Sequence, residues 1–292
     1  QFYSPGVGIV AGVFFYMIPE VYRFLARQAK VDLGWAFFEV LAMAAFFAWY
    51  NNKAQKRWLI LAGVFSGLAL GTKSIALINI LIIGVGLVPF HSNKPIQTLG
   101  NLARYMIPVA LTGTHYYIYN LIAHHNPVYP TMGPFFTNLI GGAPSANIDS
   151  VGTTAWATGL VGFFQNAWDM SLRPDYAYAA GQWAGPIFLI VIPVGLVLKL
   201  KDKTVNTLLI YTLVYYALWF LIKQQVRQFL PGLALLSIVA AYMLTHDYAI
   251  PHLARLVFRA TVVSVLAFHL IAGLVPVIRG TQYRVILGLW TP

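Results

Sequence analysis

Residues 31–73 read VDLGWAFFEVLAMAAFFAWY, then NNKAQKR, then WLILAGVFSGLALGTK. Two apolar runs are separated by a short basic turn, and a membrane-spanning helix needs about 20 mostly apolar residues to cross the hydrocarbon core of a bilayer. Both runs are continuous rather than alternating, which favours helices over the strands of a barrel. The stretch therefore predicts two membrane-spanning helices joined by a charged turn.

The same pattern repeats along the chain. Hydrophobic residues make up 59% of the 292 residues and charged residues only 9%, too few for the surface of a water-soluble fold of this length. About nine apolar segments are expected to span the membrane, namely 6–25, 33–50, 58–71, 75–89, 105–122, 184–198, 207–222, 229–244 and 256–278. The predicted fold is an all-α, polytopic membrane protein that forms a single transmembrane domain over residues 1–292.

One long polar excursion, residues 124–182, interrupts the spans. The Lys and Arg residues of alternate turns number ten on one side and nine on the other, so their totals barely decide the orientation. The excursion itself contains a single Arg and no Lys, which favours an external loop. Within it, residues 156–172 carry Trp156 and Trp168 and are predicted to form a helix that lies in the membrane interface.

Composition also excludes several classes of function. The formal net charge is +11, but the basic residues lie in the turns between apolar runs, so nucleic-acid binding is not predicted. The chain has no cysteine, which rules out disulfides and thiolate chemistry. His115, His124 and His125 do not have the spacing of a metal site, and no nucleotide-binding or serine-hydrolase motif is present. No metal site is predicted, although a divalent cation is left open as a cofactor.

Basic residues persist at helix ends on the predicted external side, where the positive-inside bias should remove them. They are Arg27, Lys30, Lys73, Lys223 and Arg227. Converging Lys and Arg side chains bind phosphate, so these residues predict an anion site at the outer membrane boundary. Snorkelling of each side chain to lipid headgroups is the alternative.

Acidic residues are scarce. Asp32 lies in a short external turn directly before an apolar run, where it either caps the helix or serves as a functional carboxylate that orients a sugar hydroxyl, organises cations or binds a metal. Glu20 and Glu39 lie inside predicted spans, where an ionisable group is costly. Glu20 has Arg23 on its own helix face as a partner, whereas Glu39 lacks such a neighbour and is expected to face another helix.

Five segments, in this order and on this face, together resemble one family of membrane enzymes. They are V-D-L at 31–33, R-W at 57–58 with G-L-A-L-G-T-K at 67–73, Y-N at 119–120 with N-P-V-Y-P at 126–130, G-P-I-F-L at 185–189, and R-Q-F-L-P at 227–231. These segments resemble those of the GT-C superfamily of membrane glycosyltransferases, in the branch of the protein O-mannosyltransferases and the aminoarabinose transferase of lipid A.

The resemblance implies a polyprenyl-phosphate-sugar-dependent glycosyltransferase of the bacterial inner membrane, active at the external, periplasmic face. Its donor would be a polyprenyl-phosphate sugar and its acceptor a lipid, glycan or protein. Lys73, Lys223 and Arg227 would bind the phosphate of the donor. Asp32 is the candidate catalytic carboxylate that this chain itself offers. Asn126 and Tyr129 are weaker candidates for substrate binding in the loop.

In such enzymes the principal carboxylate belongs to the first external loop, and Asp32 matches a later position. The chain starts at Gln1 without a methionine, and we expect an N-terminal part to be missing. Either that part carries the base, or the protein is a divergent member of the family, or the resemblance is to the scaffold only. Two other classes stay open: a transporter or lipid-handling protein, and a non-catalytic membrane assembly subunit.

Overall fold

The computed structural model describes residues 4–22, 31–87, 95–129, 133–141, 158–173, 183–197, 203–222, 224–246 and 252–279. Among these residues the regular structure is entirely helical. The helices are α1 (Pro5–Tyr16), α2 (Asp32–Asn51), α3 (Arg57–Thr72), α4 (Leu77–Leu81), α5 (Pro95–Gly113), α6 (His115–His124), α7 (Gly133–Ile140), α8 (Gly159–Leu172), α9 (Ile187–Val197), α10 (Lys203–Ile222), α11 (Leu230–Thr245) and α12 (His252–Arg279). Short 3₁₀ turns lie at Ser74–Ala76 and Val226–Phe229, and a π-helical turn lies at Ile82–Leu87.

The chain forms two compact units. One contains residues Val31–Trp156, and the other contains Gln1–Lys30 together with Ala157–Pro292. Each unit is described separately below. The single transmembrane domain expected from the sequence stays a prediction.

Four of the described helical segments are long and apolar enough to cross a membrane. They are Asp32–Asn51, Val205–Ile222, Val226–Thr245 and His252–Ile271. Shorter apolar helices at Pro5–Tyr16, Arg57–Thr72 and Ser74–Gly86 coincide with three further predicted spans. The helical class is therefore confirmed, whereas the number of nine spans stays a prediction.

The largest difference from the predicted spans concerns residues 105–122. Helix α5 begins at Pro95, where the missing proline N–H costs no hydrogen bond, and it ends at Gly113. The first two turns of α5 contain polar residues, but its buried positions Asn101, Tyr105, Val109 and Gly113 recur every four residues. The start of α5 is thus defined by this helical periodicity and not by a continuous apolar run, so the predicted start at residue 105 was too late.

In the unit of residues 31–156, helix α3 packs against both α2 and α5. The contact with α5 depends on three glycines of α3, Gly63, Gly67 and Gly71, which succeed one another at intervals of four residues. A Cβ atom added at Gly67 would clash with Thr112 Oγ1 and lie 2.7 Å from the carbonyl oxygen of Val109. Small residues at this spacing let two helix backbones approach closely, as is common between membrane helices.

Two side-chain hydrogen bonds also join α3 to α5. The Tyr105 hydroxyl donates to Ser66 Oγ at 2.9 Å, and the Thr112 hydroxyl donates to the carbonyl oxygen of Val64 at 3.2 Å. Both tyrosine and serine are buried, so the bond satisfies polar atoms that would otherwise lie in an apolar interior. The α3–α5 pair is thus fixed in register as well as in distance.

In the other unit, α11 is the central helix. It packs against α1, α9 and α10, and 78% of an 18-residue apolar stretch within Val226–Thr245 is buried. Glu20 is buried beside this core, where its backbone N–H donates to the Trp183 carbonyl and its Oε2 accepts from the Trp183 N–H at 3.3 Å. Glu20 therefore anchors the segment before α9. Arg23, its expected partner, lies outside the described residues.

Helix α8 forms inside the predicted external loop, within the range 156–172 given by the sequence. Its buried face carries Asn166 and Asp169, whereas large apolar side chains on its other face are exposed. The exposed set is Leu160, Val161, Phe164, Trp168 and Leu172. This inverted polarity suits an apolar environment outside the protein, but the position of α8 in the membrane interface stays a prediction.

Candidate functional site

The carboxylate of Asp32 lies at the N-terminus of α2. The residue before it, Val31, is the N-cap and makes no side-chain capping bond, so Asp32 is the first residue of the helix proper. The interpretation of Asp32 as an N-cap is therefore wrong. Its buried carboxylate instead contacts Lys73, which lies 41 residues farther along the chain.

Lys73 follows directly after α3, where the backbone becomes extended and the helix ends. Its ammonium group donates a hydrogen bond to Asp32 Oδ1 and forms an ion pair with it. Because α2 and α3 are neighbours joined by a short turn, the start of α2 meets the end of α3. Each charge also lies at the favourable end of its own helix dipole, the carboxylate at the N-terminus and the cation at the C-terminus.

The Asp32–Lys73 pair is shielded from solvent but is not completely buried. The side chain of Asp32 is 5% exposed and that of Lys73 is 20% exposed, so the ammonium group is the more accessible partner. The arrangement can therefore present a held cation to an incoming anion.

Two residues complete this cluster: Trp35, which the sequence did not single out, and Glu39, which it singled out without assigning it to the site. The Lys73 ammonium lies 5.0 Å from the centre of the Trp35 ring, and the indole N–H of Trp35 donates to Glu39 Oε1 at 2.7 Å. Trp35 and Glu39 are both buried. The sequence signal was present, because Asp32, Trp35 and Glu39 follow one another at the three- and four-residue spacing of one helix face. Glu39 has no basic neighbour on its own helix, as the sequence indicates, but Trp35 is a hydrogen-bonding neighbour there.

Asn126 and Tyr129 belong to one turn at the end of α6. Asn126 is buried and its Oδ1 accepts from the Val128 N–H at 3.0 Å, while the Tyr129 N–H donates to the Asn126 carbonyl at 3.1 Å. The Tyr129 ring stacks on His124 with ring centres 4.0 Å apart. These contacts make the N-P-V-Y segment a rigid turn, and the substrate role of both residues stays a prediction.

Arg227 lies in the other unit, on the 3₁₀ turn Val226–Phe229 that leads into α11. Its Nε and Nη2 both donate to Gln225 Oε1 at 3.2 Å, and Gln228 Nε2 donates to the same oxygen at 3.0 Å. The guanidinium is thus oriented by a neutral amide, and this contact does not neutralise its charge. Lys223, the other predicted cation here, lies outside the described residues, as do Arg27 and Lys30.

The turn that carries Arg227 is connected to helix α8 by buried polar groups. Asn166 of α8 donates to Gln224 Oε1 at 3.4 Å, and the Tyr216 hydroxyl of α10 donates to Asn166 Oδ1 at 3.1 Å. The Trp219 indole donates to the Gln225 carbonyl at 3.1 Å. Buried networks of this kind fix backbone positions, so the Arg227 turn is held from two helices.

In the described part of the chain, no group of three or more His, Asp or Glu side chains converges that could bind a metal ion. Asp32 and Lys73 are brought together, and Arg227 is held within its own unit. Whether a divalent cation takes part stays an open prediction.

Apolar helices of membrane-spanning length and a shielded carboxylate–cation pair at helix ends indicate an integral membrane protein with a candidate anion site. Residues 5–123 of the chain match the family model of the dolichyl-phosphate-mannose-protein mannosyltransferases, a family of the GT-C type. This match supports a membrane glycosyltransferase of that type and confirms the resemblance seen in the sequence. Comparison with curated proteins and with solved structures found no match.

The matched range is less than half of the chain. It contains the whole cluster of Asp32, Trp35, Glu39 and Lys73, and it ends before Asn126 and Arg227. The cluster of the first unit is therefore the part of the candidate site that lies within the family match.

Proposed function

We propose that the protein transfers a sugar from a polyprenyl-phosphate donor to an acceptor hydroxyl at the external face of a bacterial inner membrane. The observation that carries the proposal is the ion pair of Lys73 with Asp32, which places a partly accessible cation and a carboxylate together at one end of α2 and α3. The description of the matched family names a dolichyl-phosphate sugar, and dolichol is a polyprenol, so the donor class agrees with that family.

Lys73 binds the phosphate of the donor in this proposal. During transfer the bond between the sugar C1 and the phosphate oxygen breaks, and its electron pair leaves with the prenyl phosphate. The phosphate then carries one more negative charge than before, so a cation held beside it stabilises the transition state more than the ground state. A contact of this kind in a shielded site is worth roughly a few kcal/mol, or about 10²-fold in rate.

Asp32 accepts the proton of the acceptor hydroxyl as the new bond from the acceptor oxygen to C1 forms. A carboxylate beside the phosphate cation has the charge and the location for this step. Binding of the donor phosphate to Lys73 releases Asp32 from its ion pair, which makes the carboxylate available when the donor is in place. The two residues therefore act in sequence on one substrate pair.

Arg227, and Lys223 outside the described residues, keep the phosphate-binding role implied by the resemblance as part of this proposal. The oriented guanidinium of Arg227 supports that role, because a fork of donors matches phosphate oxygens. Asn126 and Tyr129 are proposed to contact the sugar or the acceptor. None of these roles depends on the Asp32–Lys73 pair.

The test is an assay of the full-length protein in proteoliposomes with radiolabelled polyprenyl-phosphate mannose. The proposal predicts release of prenyl phosphate together with labelled sugar on an acceptor hydroxyl, or on water when no acceptor is added. Uptake of intact donor or substrate into the vesicles without release of prenyl phosphate would instead establish a transporter. Neither release nor uptake would favour an assembly subunit and contradict the proposal.

A further inference from the structure

Trp35 and Glu39 continue the Asp32 face of α2 toward the interior of its unit. The Lys73 ammonium is bounded by the Asp32 carboxylate and, at 5.0 Å, by the Trp35 ring. The indole N–H of that ring is fixed by Glu39 at 2.7 Å. One helix face therefore supplies a carboxylate, an aromatic surface and a second carboxylate that orients the aromatic surface.

We propose that Trp35 and Glu39 are positioning residues that hold Lys73 for the donor phosphate. This inference rests on the proposed function, because it assigns a role to the environment of the same cation. Trp35 would act through Lys73 by a cation–π contact, for which the indole is the strongest of the aromatic rings. Glu39 would act through Trp35 by holding the ring in place and by increasing its electron density through the hydrogen bond.

The aromatic contact solves a problem that Asp32 alone does not. A lysine ammonium is a point charge on a flexible four-carbon stem, and a phosphate competes with Asp32 for its donors. The face of an aromatic ring attracts the positive charge of the ammonium but does not take up the N–H donors that the phosphate oxygens need. Trp35 can therefore keep the ammonium in place while its hydrogen bonds pass from the carboxylate to the phosphate.

A purely structural account is the alternative. A buried indole N–H needs an acceptor and a buried carboxylate needs a donor, so Trp35 and Glu39 would satisfy each other in any case. That account explains the 2.7 Å hydrogen bond, and in it the Lys73 ammonium lies over the ring only because Asp32 on the same helix face brings it there. The two accounts differ in whether the effect of Trp35 depends on Lys73.

A double-mutant cycle distinguishes them. Binding of farnesyl phosphate, a short prenyl phosphate, is measured by calorimetry on the full-length protein in nanodiscs. The variants are Trp35→Phe, Trp35→Leu and Glu39→Gln, each made alone and in a Lys73→Met background. Farnesol, which has the same chain without the phosphate, is the matched control ligand, and thermal unfolding of each variant reports folding.

In the wild-type background we expect Trp35→Leu to weaken farnesyl phosphate binding about tenfold, and Trp35→Phe and Glu39→Gln about threefold each. In the Lys73→Met background the same changes should have no further effect, and farnesol binding should not change in either background. Equal losses in both backgrounds, or no loss in the wild-type background, would overturn the inference. If Trp35→Leu fails to fold, Trp35→Phe and Glu39→Gln decide the question.

The failure of this inference is distinguishable from failure of the proposed function. If Lys73→Met weakens binding but the Trp35 and Glu39 variants do not, only the positioning role is wrong. If Lys73→Met itself binds farnesyl phosphate as the wild type does, the phosphate assignment is wrong and the positioning role falls with it.

Discussion

Asp32 and Lys73 illustrate how a charge can be kept in an apolar protein and still be available. Each is placed at the end of a helix whose dipole favours its sign, and each neutralises the other while no substrate is bound. Breaking an ion pair of limited exposure leaves an uncompensated charge, so in our proposal Lys73 leaves Asp32 only when the donor phosphate takes the place of the carboxylate.

Replacing Asp32 by Asn tests the carboxylate. The amide keeps the size of the side chain but cannot accept a proton, so we expect kcat for sugar transfer to fall by about 10²–10⁴. The donor KM should not rise, because a neutral amide competes less well than the carboxylate for Lys73. Steady-state kinetics with the labelled donor measure both constants. Asp32→Glu, which retains the carboxylate, should keep more activity than Asp32→Asn, and an Asn variant at full kcat would remove Asp32 from the chemistry.

Arg227 can be tested against a matched arginine of the same unit. Arg227→Ala should lower kcat/KM for the donor by about 10²-fold because it removes a phosphate ligand, while the variant should fold normally. Arg173→Ala is the control, since Arg173 is 54% exposed and its contact with Asp169 spans 3.5 Å. Similar kinetics for the two variants would argue against a special role for Arg227.

At the scale of helices, the α3–α5 contact positions Lys73, since Lys73 directly follows α3. Gly67 lies within this close approach, and Gly113 of α5 faces it so closely that a Cβ on Gly113 would lie 2.7 Å from the Gly67 carbonyl. The helices approach at glycines because lipid supplies no hydrophobic force to press larger side chains together. The position of the cation thus depends on residues that carry no charge.

Gly67→Ala should therefore destabilise the protein by about 1–3 kcal/mol, as expected for an overpacked contact. Gly34→Ala is the control on α2, since nothing lies within 4 Å of a Cβ added there, and alanine is the better helix former by roughly 1 kcal/mol. Thermal unfolding in the same detergent compares the two variants. A lower midpoint for Gly34→Ala than for Gly67→Ala would contradict the packing described here.

Helix α8 shows why an exposed apolar face does not mark a soluble surface. Its buried face is the polar one, and Asn166 on that face is joined to Gln224 and Tyr216. The opposite face exposes Phe164 and Trp168 by 64% and 53%. A helix with this polarity is suited to lie against lipid while it holds the Arg227 turn, and its position in the membrane interface stays a prediction.

At the scale of the whole molecule, the basic turn between α2 and α3 agrees with the orientation predicted from the external loop. Lys53, Lys56 and Arg57 lie in or beside this turn, and burial together with the neighbouring Arg104 and Lys53 lowers the pKa of Lys56. Such an accumulation of cations is typical of a cytoplasmic turn. Because α3 has 16 residues, its far end at Lys73 is about 24 Å away along the helix axis and is expected on the external side.

The chain has no cysteine, which makes this orientation directly testable. Asn52→Cys and Ser74→Cys place single thiols at exposed residues at opposite ends of α3. In intact cells a membrane-impermeant maleimide should label Ser74→Cys, and it should label Asn52→Cys only after the membrane is permeabilised. The reverse pattern would place the Asp32–Lys73 pair on the cytoplasmic side.

The sequence predicted the helical class and several helix positions well, because continuous apolar runs such as 33–50 and 58–71 leave few alternatives. It also singled out Asp32 and Lys73, since charges at the ends of apolar helices are rare enough to stand out. It missed Trp35, because an aromatic residue near a span end is ordinary in a membrane protein. It also missed the start of α5, where amphipathic periodicity rather than apolarity defines the helix.

The central claim is that Lys73 binds the donor phosphate, and donor-dependent kinetics of Lys73 variants test it most directly. Initial rates of sugar transfer are measured against donor concentration for the wild type, Lys73→Met, Lys73→Arg and the exposed control Lys53→Met. We predict that kcat/KM falls by about 10²-fold or more in Lys73→Met, falls less in Lys73→Arg, and stays unchanged in Lys53→Met. Wild-type kcat/KM in Lys73→Met would contradict the claim.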